Sequence, residues 1–257
     1  MIPYRDENET IRTPLITLAL IGVNVLVWVA VQGAGSGYAL AASVCNLGLI
    51  PGELTLRAIP GTGFPMGSGL ACLIDEGRAP LHVLTSMFLH GSWMHLLGNM
   101  WFLWLFGNNV EDSMGRMRFV VFYLLSGLGA AGAQVLSEPA SIYPMVGASG
   151  AISGVMGAYL VLYPRVRVFT LVPIFVFFTT IALPAWVMIG YWFLLQVVGG
   201  LGVLGSQEGG VAFSAHVGGF IAGVVLIKLF ARPDYIRQHR AHQWRPRRQG
   251  FRRSNWD

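Results

Sequence analysis

The sequence predicts an all-α integral membrane protein, a six-transmembrane-helix bundle with a long first outside loop, and three observations carry that expectation. The chain of 257 residues is 54% hydrophobic and only 11% charged, with a mean hydropathy of +0.59. That is too apolar for a soluble domain. Its apolar residues fall in runs of spanning length rather than at the period of an amphipathic helix. Its basic residues are concentrated in alternate connecting segments, the pattern that the positive-inside rule gives a multi-pass protein.

Each element follows in turn. Crossing the hydrocarbon core takes ~20 mostly apolar residues. Residues 1–13 are polar and hold Arg5 and Arg12, so they form a cytoplasmic N-terminal segment. The first span covers 14–32. No small-residue cleavage site is evident after it, which makes it an anchor rather than a removed signal peptide. Residues 33–90 form the first outside loop, rich in Gly and Pro, with apolar stretches such as Leu47 to Leu56 that suit the membrane interface. Further spans fall near 93–110, 117–136, 146–163, 185–204 and 211–230. The membrane domain therefore runs over 14–231, and 232–257 is a basic cytoplasmic tail.

A seventh apolar run, 168–183, is only sixteen residues long, contains Pro173, Thr179 and Thr180, and is bracketed by Pro164 and Pro184. Rich in β-branched and aromatic residues, it suits an extended or re-entrant segment better than a spanning helix. Charge supports the count of six. With the N-terminus inside, fifteen of the seventeen basic residues are cytoplasmic, and only Arg57 and Arg78 lie outside. A seventh span would carry the basic tail outside and break the rule.

The tail interleaves its arginines with Tyr235, Trp244, Phe251 and Trp256. Nucleic acid would fit that composition, but contact with anionic lipid is the simpler reading, and no nucleic-acid partner is expected. The two cysteines, Cys45 and Cys72, share the first outside loop. A disulfide clamping the loop and two separate thiols are both consistent with the sequence.

Reactive polar residues cluster at one end of three spans. Ser149 begins the fourth span, where free backbone N–H groups favour developing negative charge. His216 lies a few residues inside the sixth, also entered from outside, so the two reach the same depth. A serine hydroxyl is a weak nucleophile until a base accepts its proton, and histidine suits that exchange near neutrality. His95 and Asn99, four residues apart on the second span, share one helix face at similar depth. Alone, Ser149 would read as a helix cap and His216 as a packing residue. Four such groups at one depth in hydrocarbon point to function. All twelve carboxylates fall in loops, ends or tails, so no acidic third member is available and the arrangement is a Ser–His dyad. The same inventory argues against an aspartyl intramembrane protease, which needs two embedded carboxylates, and the absence of H-E-x-x-H argues against a zinc protease. His82, His90 and His95 straddle a loop without a carboxylate, so no metal and no cofactor is expected.

The segments His90-Gly91-Ser92-Trp93-Met94-His95-Leu96-Leu97-Gly98-Asn99-Met100, Gly147-Ala148-Ser149-Gly150-Ala151-Ile152-Ser153-Gly154 and Ala215-His216-Val217-Gly218-Gly219-Phe220-Ile221-Ala222-Gly223 resemble the three hallmark segments of the rhomboid family of intramembrane serine proteases. The resemblance covers roughly residues 80–230. It implies a nucleophile at Ser149, a base at His216, and an oxyanion site from the Ser149 backbone N–H with the side chains of His95 and Asn99. It also implies that Gly219 and Gly223 let the sixth helix approach the fourth closely, with Gly150 and Gly154 as further helix-packing positions. Substrates would be single-span membrane proteins, cut near the outer face.

Two positions depart from the family pattern. Some members carry a Trp-Arg pair in the first loop where this chain has Leu81-His82. Some carry an aromatic residue four positions after the nucleophile, packed on the catalytic histidine, where this chain has Ser153. The competing readings are an inactive relative acting as a membrane-protein chaperone or dislocation factor, and a small-solute transporter. The first usually lacks the Ser or the His, and the second usually shows a repeat, a broken helix or an embedded charge. With no transit peptide evident, the expected location is a bacterial inner membrane with both termini cytoplasmic.

Overall fold

The computed structural model describes residues 2–67, 69–76, 80–174, 177–203 and 212–243. In chain order the elements are β1 (Ile2–Asp6), α1 (Leu15–Ala30), α2 (Gly37–Leu47), α3 (Pro51–Thr55), β2 (Gly63–Gly67), β3 (Leu70–Leu73), α4 (His82–Thr85), α5 (Trp93–Met114), α6 (Arg116–Ser137), α7 (Ser149–Leu162), β4 (Arg167–Ile174), β5 (Phe177–Pro184), α8 (Ala185–Val203), α9 (Phe213–Phe230) and α10 (Pro233–Gln243). The chain is mostly helical. Of these helices, α6 and α9 are long and apolar enough to cross a membrane, while α1, α7 and α8 contain shorter apolar helices. The six predicted runs coincide with α1, α5, α6, α7, α8 and α9 to within a few residues. Residues 204 and 211, the end of the fifth run and the start of the sixth, lie outside the described residues.

At the centre is α7, buried without interruption from Gly150 to Tyr159. It is flanked by α6, α9 and α5. Around it packs one core in which Leu103, Phe106, Val110, Phe119, Phe122, Tyr123, Val155 and Tyr159 are fully buried. The seam between α7 and α9 is made of backbone. A Cβ on Gly219 would run into the carbonyl of Gly150, and one on Gly223 into the carbonyl of Gly154. Only glycine permits that approach, and dispersion between close backbones replaces the hydrophobic drive that lipid removes.

The all-α expectation needs correction. As its composition suggests, the run 168–183 is extended where it is described: β4 and β5 pair antiparallel, and β1 adds as a third strand in the order β1-β4-β5. A sixteen-residue run dense in Val, Ile, Thr and Phe is too short for a crossing and packs well on a pleated surface. Ile2–Asp6, within the polar N-terminal segment, are therefore tied to β4. A second hairpin, β2–β3, lies in the first long loop. There Cys45 and Cys72 are joined by a disulfide with a Cα–Cα separation of 5.5 Å. The stretch expected at the membrane interface is partly core: Leu49 and Ile50 are buried, and Leu49 pairs with Met145 through two backbone hydrogen bonds of 3.0 and 2.8 Å.

Two charged regions also differ from expectation. The helix α5 runs on to Met114, so Glu111 and Asp112 sit in its last turn and are buried, not in a loop. Glu111 accepts from the amides of Ile16 and Thr17 and from the Thr17 hydroxyl at 2.8–3.1 Å. It thereby caps α1, whose own N-terminus has no side-chain cap. The tail begins as α10, which docks on the protein. His239 is buried with Nδ1 3.4 Å from Asp112, and Arg12 both pairs with Asp112 at 3.0 Å and stacks on the Tyr235 ring at 3.7 Å. The remainder of the tail, including Trp244, Phe251 and Trp256, lies outside the described residues.

Candidate active site

Ser149 is the first residue of α7, and the chain enters it through Gly147, whose φ of 131° is in the left-handed region. A Cβ there would also lie 2.8 Å from His95 Nε2, so the turn demands glycine for both conformation and space. The Gly147 amide donates to the Ser86 carbonyl at 2.9 Å, which anchors the turn. His216 lies in the first turn of α9, and its Nε2 is 2.8 Å from Ser149 Oγ. Because α7 and α9 touch through glycines one and two turns further along, these two side chains meet with little room to vary.

His95 and Asn99 face the same space from α5. That helix is capped by Ser92, whose hydroxyl accepts from the His95 amide at 3.1 Å. His95 Nδ1 accepts from the Gly91 amide at 3.3 Å, which leaves Nε2 to carry the ring hydrogen towards Gly147 and Ser149. Asn99 is 7% exposed, and its side-chain nitrogen has no hydrogen-bond partner among the described residues. A cavity of about 280 Å³ is lined by His95, Asn99, Ser149, Trp192 and His216. A second, of about 390 Å³, shares His95, Ser149 and His216 with the first and is lined further by Met87, Gly127 and Met145. The structure thus brings Ser149, His216, His95 and Asn99 together around connected space. Gly150, Gly154, Gly219 and Gly223 lie beneath them, and the Cys45–Cys72 bridge lies outside the constellation, in the first loop. Among the described residues no cluster of His, Cys, Asp or Glu has the makings of a metal site.

Two residues at the site were not foreseen. His216 Nδ1 is 2.7 Å from Gln196 Oε1, and the Trp192 ring lies 6.0 Å from the imidazole at 42°. Both come from α8. The position where an aromatic was missing, Ser153, is buried and donates its hydroxyl to the Ser149 carbonyl at 2.6 Å. The carboxylate inventory that leaves His216 without an acidic partner does not count amides. A lone amide in a nineteen-residue apolar helix, four residues after a tryptophan, was the available signal.

A serine hydrogen-bonded to a histidine, with donors facing it inside an apolar helical bundle, defines the class of site. The comparisons define the family. Residues 78–233 match the Rhomboid domain, and the chain belongs to the rhomboid family, whose members are integral membrane proteins. It is similar to RHOMBOID-like protein 4 of Arabidopsis thaliana, 31% identical over 186 residues, which are 72% of this chain and 41% of that protein. Similarity to Rhomboid protein 1, mitochondrial, of Saccharomyces cerevisiae is 30% over 155 residues, 59% of this chain and 42% of that one. Rhomboid protease GluP of Bacillus subtilis is 33% identical over 136 residues, 53% of this chain and 26% of that one. The chain spans less than half the length of each of these relatives. They come from a plant, a yeast and a bacterium, and so do not single out the bacterial inner membrane.

Proposed function

We propose that this chain is an intramembrane serine endopeptidase that cuts transmembrane protein substrates with a Ser149–His216 dyad. The observation that carries this reading is the 2.8 Å contact between His216 Nε2 and Ser149 Oγ, at the edge of a cavity that His95 and Asn99 also line. In the proposed arrangement α1, α5, α6, α7, α8 and α9 cross the bilayer and form one membrane domain over 14–231. The basic ends, including Arg12, Arg116, Arg118 and α10, face the cytoplasm, and the site opens towards the outer face. Substrate segments reach Ser149 near that face.

Chemistry follows from the geometry. His216 Nε2 takes the hydroxyl proton as Ser149 Oγ bonds to the scissile carbonyl carbon, and the carbonyl oxygen becomes an oxyanion. The first-turn amide of Ser149, the Nε2–H of His95 and the side-chain amide of Asn99 are the donors available to it. His216 returns the proton to the amide nitrogen as the C–N bond breaks, leaving an acyl-enzyme. Water then attacks the acyl carbon, giving its proton to His216, and the Ser149 oxygen leaves and is reprotonated. The inactive-relative alternative is disfavoured because both reacting groups are present and within hydrogen-bonding reach.

The test is labelling by a fluorophosphonate probe in detergent or liposomes together with cleavage of a model transmembrane substrate. The protein should label at Ser149 and cleave, while Ser149→Ala and His216→Ala should do neither and still melt as the parent does. Turnover by either variant at the parental rate would sink the dyad.

A further inference from the structure

We propose that Gln196 and Trp192 of α8 are the positioning residues for His216, a neutral amide and an indole taking the place that a carboxylate holds in a Ser–His–Asp triad. The inference rests on the reading of Ser149 and His216 as nucleophile and base. To take the Ser149 proton, Nε2 must be bare, so the neutral ring must carry its hydrogen on Nδ1. Gln196 Oε1, 2.7 Å away, accepts from that hydrogen and selects the required tautomer. As the ring becomes cationic the same bond becomes charge-assisted and strengthens, so it contributes more in the transition state than in the resting protein. An amide does this at a far smaller desolvation cost than a carboxylate in an apolar bundle.

Trp192 sits one turn before Gln196 on the same helix face. Its ring, 6.0 Å from the imidazole, restrains the plane of His216 and offers a π face to the developing cation. The position on α7 from which another ring would reach His216 is Ser153, whose hydroxyl is tied to its own helix. Beyond the Ser149 hydrogen bond itself, both restraints on the base therefore come from α8. In turn α8 is held to α9 by the Phe193–Phe220 stack at 4.4 Å. Alignment of His216 is thus a property of how α8 is seated.

The experiment uses the full chain in nanodiscs and compares Gln196→Met, similar in length without a strong acceptor, with Gln196→Glu, which keeps an acceptor oxygen. The readouts are kcat and KM on a model transmembrane substrate, the thermal midpoint, and the tautomer of His216 by nitrogen NMR. Gln196→Met should lower kcat about 10- to 100-fold, leave KM and the midpoint near the parental values, and abolish the single Nδ1-protonated tautomer. Gln196→Glu should restore most of kcat and keep that tautomer. Trp192→Ala combined with Gln196→Met should lose less than the product of the single losses, because both act on one ring. An unchanged kcat or an unchanged tautomer in Gln196→Met overturns the proposal. So does a parallel loss of kcat and midpoint that Gln196→Glu does not relieve, which would mark a packing role. A parent that neither cleaves nor labels at Ser149 overturns the dyad instead, and the tautomer measurement still decides the case of Gln196.

Discussion

Where α5, α7 and α9 begin, the cavities around Ser149 are lined by no Asp, Glu, Lys or Arg among the described residues. Where the same helices end, Arg12, Glu111, Asp112 and His239 interlock, and both carboxylates are buried. Asp112 alone receives the amides of Ile11 and Arg12, the Arg12 guanidinium and the His239 ring. The charged end spends its polar groups on one another and ties α1 with the residues before it, α5 and α10 together. The uncharged end leaves Asn99 with a free donor. In the proposed reading one end holds the helices and the other receives a developing charge without a resident ion competing for it.

If that division is right, substitutions at the two ends fail in different ways. The largest effect is expected at Asp112. Its replacement by Ala leaves the Ile11 and Arg12 amides and the Arg12 guanidinium without their carboxylate and should cost ~3–5 kcal/mol, read as a lower thermal midpoint, while kcat of the protein that remains folded stays near the parental value. A comparable fall in kcat at full folding would erase the distinction between the ends. The opposite signature is expected at the site. Asn99→Ala, and likewise His95→Ala, should leave the midpoint unchanged and cost ~2.7–4 kcal/mol in transition-state stabilisation, about a hundred- to thousand-fold in kcat. Full activity in the folded double variant would remove both from the oxyanion site.

A smaller effect sharpens the comparison by pH. Asp6, in β1, accepts from the Tyr159 hydroxyl at 2.5 Å and from Asn109 at 3.0 Å, and burial pushes its carboxyl up from 3.8 to about 6. A raised carboxyl means that the folded state binds more protons than the unfolded one between those values. Stability should therefore fall as pH rises from about 4 to about 6 and level off above, by at most about 3 kcal/mol. Asp6→Asn should flatten that slope in a melting series. A slope that persists in Asp6→Asn would assign it to another group.

Much of this was legible because single residues announce themselves in hydrocarbon. Ser149, His216, His95 and Asn99 are polar groups in apolar runs, and their spacing and depth suffice to bring them together. What the sequence concealed depends on contacts between elements. Gln196 is one amide in an apolar helix, and only the seating of α8 against α9 aims it at His216. A polar, basic α10 reads as solvated until His239 is seen beneath the bundle. The end of α5 was drawn before Glu111 because charge normally stops a span. Here the helix continues because those carboxylates satisfy α1 and Arg12. The run 168–183 could be excluded as a crossing by length, but its pairing with β1 needed a partner more than 160 residues away.

The seam of Gly150 and Gly154 against Gly219 and Gly223 has a consequence for how the protein tolerates its surroundings. Side chains that set a spacing can change rotamer, and the spacing changes with them. Here the spacers are main-chain atoms in direct contact, so no change of side-chain rotamer alters the gap between α7 and α9. A bilayer that thins or thickens can tilt the two helices, but it must tilt them as one piece. The separation of Ser149 from His216 is thereby insulated from the lipid that surrounds it.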